Sequence, residues 1–218
     1  MAESVVHFDA GGATLEGNLS IPDHPRGIVL FAHGSGSSRH SPRNRYVARE
    51  LQRLGLATLL IDLLTAAEEA VDMRTREHRF DIGLLADRLI AATDWLAAQP
   101  QTGDLALGYF GASTGAGAAL VAAAKRPNAV AAVVSRGGRP DLAGDALPLV
   151  KAPTLLIVGS EDEPVIGMNR TASARMRAEN QVVIVPGASH LFEEPGTLEE
   201  VARLAGAWFE QRLSAVRS

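Results

Sequence analysis

Six short, unbroken apolar runs constrain this chain more than any other feature: residues 28–32, 57–61, 105–110, 130–134, 154–158 and 182–185. They are rich in aliphatic and β-branched side chains and do not alternate with polar ones, the pattern of strands covered on both faces. Segments between them carry a helical period. Within 79–99, Ile82, Leu85, Leu89, Ala92 and Leu96 step by three and four, and Leu198, Val201, Leu204 and Trp208 do the same near the C-terminus. Each set gathers an apolar stripe suited to covering a sheet. Gly55, after Val47, Leu51 and Leu54, has the position of a helix-terminating glycine. Upstream, runs at 5–8 and 15–19 flank Gly11-Gly12, a hairpin signal. The spacing predicts an α/β fold: a mostly parallel sheet of about eight strands, an N-terminal antiparallel hairpin, and helices on both faces. Stretches 65–78 and 137–151 show no clear period and read as irregular. Both follow the C-terminal end of a strand, where open α/β sheets bind ligands.

The 218 residues suit one domain spanning 1–218, large enough for a substantial core. A formal net charge of −4 gives no reason to expect nucleic acid or an anionic membrane as partner. The chain has no cysteine, which excludes disulfides, thiolate nucleophiles and cysteine-based metal sites. That agrees with a reducing cytoplasm, the expected location. The opening MAESVVHFDAGG lacks the basic and apolar regions of a signal peptide. No apolar stretch approaches the roughly 20 residues needed to span a bilayer.

Against this frame, GYFGASTGAG (108–117) places Ser113 after a strand and before a small-residue helix. Gly-x-Ser-x-Gly is a short pattern that chance also supplies, and a glycine-rich packing corner would look similar. The neighbours decide. A serine hydroxyl needs a base to take its proton during attack, and His190 lies just after the run 182–185. The imidazole in turn needs an acceptor to fix its tautomer. Glu161, Asp162 and Glu163 follow the run 154–158, and Asp141 is a further candidate after 130–134. Serine, acid and histidine thus occur at strand ends in the chain order of an α/β-hydrolase. Among the acids, Asp162 fits best, within Gly159-x-x-Asp162-x-x-Val165. An oxyanion would need two amide donors. The expected ones are Thr114 N–H and Ser35 N–H, the latter in the loop HGSGS (33–37). His33 reads as a structural brace of that loop.

These motifs resemble the α/β-hydrolase superfamily and, within it, the dienelactone hydrolase-like proteins, over nearly the whole chain. HGSGSSRHSPRN, GYFGASTGA, SRGGRPDLAG, LLIVG and HLFEEPG look like a bacterial branch of that family. Some members of the branch are fused to phosphoribosyltransferase domains, and none of these 218 residues reads as one. The resemblance implies hydrolysis of a small-molecule ester or lactone with no cofactor and no metal. Characterised dienelactone hydrolases use a cysteine nucleophile where this chain has Ser113, which points toward a serine carboxylesterase. Only about 19 residues separate 134 from 154, too few for a helical cap domain, so an open site for short acyl groups is expected. Arg39, Arg43, Arg136 and Arg139 lie in the loops expected to rim the site. Arg39, Arg136 and Arg139 are candidate contacts to an anionic substrate. Two other readings remain open: a non-catalytic binding protein on the same fold, and an acyltransferase or perhydrolase.

Overall fold

The computed structural model describes residues 3–213. Eight strands form one sheet: β1 (Glu3–Asp9), β2 (Thr14–Ser20), β3 (Ile28–Ala32), β4 (Ala57–Ile61), β5 (Leu107–Ala112), β6 (Val130–Arg136), β7 (Thr154–Gly159) and β8 (Asn180–Val185). Their order is β1-β2-β4-β3-β5-β6-β7-β8. β1 and β2 are antiparallel to each other, β2 is antiparallel to β4, and the rest of the sheet is parallel. The hairpin turns on Gly11 and Gly12, whose amides donate to the Asp9 carboxylate at 3.3 and 3.2 Å. All six apolar runs became strands. β5 begins two residues later than its run, because Leu105 closes a turn by donating its N–H to the Thr102 carbonyl.

Among the described residues six helices cover the sheet: α1 (Pro42–Arg53), α2 (Ala66–Thr75), α3 (Ile82–Ala98), α4 (Thr114–Lys125), α5 (Glu163–Arg175) and α6 (Thr197–Leu213). Alternation along the strands sorts them into two layers. Ile28, Leu30, Leu107, Tyr109 and Val133 pack with α3 and α4. Val29, Phe31, Phe110, Val134 and Ile157 pack with α1 and α6. α1 opens on Ser41, whose hydroxyl accepts the Asn44 N–H, and stops where Gly55 takes φ 81°.

Residues 65–78 are not irregular. They form α2, entered through a capping box in which Thr65 Oγ1 accepts the Glu68 N–H and Glu68 accepts the Thr65 N–H. The one residue that α2 buries is Asp72, so no apolar stripe marks it in the sequence. Residues 137–151 hold a 3-10 segment (Pro140–Leu149) kinked at Gly144, and no cap domain is inserted there. Among the described residues no helix is long and apolar enough to cross a membrane.

Candidate active site

The C-terminal ends of β3, β5, β7 and β8 converge on one edge of the sheet. Between β5 and α4 the chain reverses at Ser113, which adopts φ 50° and ψ −122°, a left-handed conformation rare for a residue with a side chain. The turn is tight because its flanking glycines let backbone meet backbone. A Cβ on Gly115 would strike the carbonyl oxygens of Ala32 and His33, and one on Gly111 would strike the Cα of Ala116. Strain of this kind persists only where surrounding structure over-determines it. Here Ser113 N–H donates to the Arg136 carbonyl at 3.3 Å, and its own carbonyl accepts from Arg139 N at 3.0 Å and Ala116 N at 3.1 Å.

β7 and β8 are parallel neighbours, so the loops that leave them run side by side. Ser160 N donates to Val185 O and Glu161 N to Ala188 O, both at 3.0 Å, and Gly187 N donates to Ser160 Oγ at 2.8 Å. This zipper brings Asp162 Oδ2 within 2.6 Å of His190 Nδ1. A proton on Nδ1 is required to bridge that distance, leaving Nε2 as the acceptor. The other acids do not bond the ring: Glu161 accepts from Ser160 Oγ, Glu163 is the first residue of α5, and Asp141 pairs in bidentate fashion with Arg139 at 2.9 and 2.7 Å. Glu194, which the sequence reading passed over, braces the histidine loop by accepting the Ser189 N–H at 3.0 Å. Bonds from the Ser189 side chain and then from its amide hold this carboxyl below the usual range.

Ser113 and His190 both lie against the turn at 136–139. Ser113 is tied to the backbone of 136–139, while a Cβ on Gly137 would stand 3.6 Å from His190 Cε1. No hydrogen bond joins the Ser113 hydroxyl to the ring among the described residues; both side chains are partly accessible. Catalytic contacts in substrate-free sites are often long and tighten on binding.

The amides of Thr114 and Gly115 open α4 and so have no intrahelical acceptor. Ser35 N–H faces them and is in use: it donates to Thr114 Oγ1 at 3.0 Å, and the two hydroxyls lie 2.9 Å apart. An oxygen atom already occupies the acceptor position of this amide. His33 supports the loop from beneath, with Nδ1 donating to Gly34 O at 2.8 Å and Nε2 accepting from Leu63 N at 3.0 Å. Beside Ser35 and Thr114 is a cavity of about 30 Å³ walled by Leu63, Leu64, Met73 and Arg79. Its outer wall is α2. Asp72 secures that wall by accepting the amides of His78 and Arg79 and the Arg79 Nε–H, at 2.8, 2.9 and 2.7 Å. Burial pushes the Asp72 carboxyl up, but these donors outweigh it and hold it below the usual range.

The arginines divide. Arg39 is spent inside the protein: its guanidinium reaches Asp62, Glu16 and Asn18, so its fork is not free for a substrate. Arg139 is likewise engaged by Asp141. Both guanidiniums therefore have carboxylate partners within the protein. Arg136 has no carboxylate partner among the described residues. No cluster of three or more histidine, aspartate or glutamate side chains suited to a metal ion occurs among them.

Residues 15–213 match the family described as the Dienelactone hydrolase family. A crystal structure of a dienelactone hydrolase from Anabaena variabilis shares 65% identity at a TM-score of 0.96, covering 97% of this chain and 98% of that one. A Mycobacterium tuberculosis protein named "Putative phosphoribosyl transferase" is 60% identical over 213 residues, 98% of this chain and 47% of that protein. The chain therefore spans about half the length of the curated relatives it matches. Est1E from Butyrivibrio proteoclasticus shares the fold at a TM-score of 0.79 with 16% identity, covering 95% of this chain and 98% of that one.

Proposed function

The chain belongs to the dienelactone hydrolase family, and on that footing we propose that it is a serine hydrolase of small carboxylic esters or lactones. The observation that carries the reading is the strained elbow at Ser113, held at φ 50° at the same end of the sheet as the two loops whose Asp162 and His190 Nδ1 bond at 2.6 Å. In the proposed reaction Ser113 Oγ attacks the carbonyl carbon while its proton passes to His190 Nε2. The Asp162 carboxylate stabilises the imidazolium that results. The carbonyl oxygen, now an anion, accepts from Thr114 N–H and Ser35 N–H, replacing the Thr114 hydroxyl as acceptor of the latter. The C–O bond to the alcohol then breaks, and His190 returns the proton to the leaving oxygen. Water attacks the acyl-enzyme with His190 again as base, releasing the acid and restoring Ser113. The segment after β6 carries no cap domain, and a site open in this way suits short acyl groups.

A fluorophosphonate probe and a series of p-nitrophenyl esters of increasing chain length test the reading. The wild-type chain should be labelled and should turn over the shortest esters fastest. Ser113→Ala should abolish both while retaining the circular dichroism spectrum. Hydrolysis by Ser113→Ala at wild-type rates would refute the assignment. An unlabelled wild-type serine would favour the binding-protein reading, and ester formation with added alcohols would favour acyl transfer.

A further inference from the structure

Arg136 ends β6 and follows Ala132 and Val134 onto the α1/α6 face. It is 6% exposed. Its Nη2 donates to Asn44 Oδ1 at 3.2 Å, its guanidinium carbon stands 5.9 Å from the Phe192 ring centroid, and its Nε has no acceptor. Arg88 is equally enclosed and its Nε is likewise unpartnered, but it bonds a carboxylate, Glu68 Oε1 at 2.7 Å, and the Ala10 carbonyl at 2.8 Å. Arg136 has no such counter-charge among the described residues, and the charge that acts on it is of the same sign. That charge is Arg43, in the first turn of α1 and next in the chain to the Asn44 that Arg136 bonds, and Nε of Arg43 is also buried without an acceptor. Glu193 is mostly exposed and pairs with Arg43, at 3.2 Å, not with Arg136. Burial first, and the Arg43 charge second, pull the Arg136 guanidinium down to about 10. A buried cation without an anion is costly, and a second guanidinium beside it raises the cost.

This corner adjoins the catalytic edge. Arg136 precedes Gly137, against which His190 lies, and Phe192 lies two residues beyond His190 with φ 56°. We propose that Arg136 and Arg43 form a binding site for a small oxyanion, a carboxylate or a phosphate, between the start of α1 and the histidine loop. The planar guanidinium fork matches two oxygens of either group, and the ligand supplies the charge that the fold omits. The oxyanion is either the anionic tail of an ester substrate, which rests on the hydrolase reading, or a free anion, which does not.

Calorimetry and thermal unfolding with succinate, with inorganic phosphate and with neutral succinamide, at matched ionic strength, test the site. Saturable binding of succinate or phosphate with a rise in Tm is expected, and none with succinamide. Arg136→Gln should weaken that binding at least tenfold, and Arg43→Gln should weaken it independently, so a folding failure of one variant leaves the other. A merely structural Arg136 predicts a lowered Tm in Arg136→Gln and no anion effect in the wild type. That result, or undiminished binding in both variants, overturns the proposal. Comparing p-nitrophenyl acetate with mono-p-nitrophenyl succinate then separates the sources. If the anion is a substrate tail, Arg136→Gln lowers the succinate-to-acetate ratio of kcat/KM about tenfold. If it is a free anion, the ratio is unchanged while binding is lost. Failure of the hydrolase reading would show as loss of ester turnover and probe labelling with anion binding intact.

Discussion

At the scale of single residues, the proton on each imidazole is set by what the other nitrogen meets. In His33 one nitrogen donates to Gly34 O and the other accepts from Leu63 N–H, so the ring is neutral in the fold. Burial lowers its pKa from the ordinary 6.5. Protonation would set an N–H against the Leu63 N–H and loosen the loop that carries Ser35. Because the unfolded chain takes up this proton more readily, the His33 contribution to stability is fully present above pH 6.5. It is lost as pH falls through the lower folded value. Tm measured from pH 8 to pH 5 should decline on the acid side, and His33→Asn should flatten that decline at the cost of a lower Tm at pH 8. A wild-type profile matching that of the variant would remove the assignment. On the proposed mechanism, Asp162→Asn should lower kcat by about 10³–10⁴-fold with the fold intact, since an amide facing Nδ1 favours the wrong tautomer. The candidate serine, histidine and acid were legible as residue types at strand ends. Asp162 stood apart from Glu161 and Glu163 only through Gly159-x-x-Asp162-x-x-Val165, and the direction that sets its Oδ2 against His190 Nδ1 is visible only in the fold.

Elements show a similar division. The parallel strands declared themselves through continuous apolar runs, and α3 and α6 through apolar stripes. α2 did not, since it buries Asp72 rather than a hydrophobic face. Its one local sign is the pair Thr65 and Glu68, three residues apart, whose reciprocal bonds close the capping box. Thr65→Ala should cost about 1 kcal/mol of stability. It should also speed hydrogen exchange in 66–75 relative to α3, measured by mass spectrometry. The elbow between β5 and α4 makes the sharper demand. Gly115 lies against two backbone carbonyls that no rotamer change can move aside. Gly115→Ala should therefore destabilise by about 1–3 kcal/mol or more, read from urea denaturation midpoints, and should displace Ser113. A variant with wild-type stability would mean that α4 can shift without disturbing β3.

For the whole molecule, one sheet carries every described element, and its two layers share the same strands. Calorimetric unfolding should accordingly give a single transition, with calorimetric and van't Hoff enthalpies equal. Two resolved transitions would contradict a single domain over 1–218. The curated relatives of about twice this length make the activity of this chain by itself the informative measurement.

Local pattern determined what can be decided between near neighbours in the chain: the strands and their burial, the apolar helices, the hairpin, and the small residues flanking Ser113. Tertiary structure decided which groups face each other across tens of residues. It turned Asp162 onto His190, gave Arg39 to Asp62 and Arg139 to Asp141, and left Arg136 enclosed with no carboxylate partner among the described residues. The reason is physical. Backbone propensity and hydrophobic period act over a few residues, whereas the partner of a charged side chain is fixed by the packing of strands that the sequence leaves far apart.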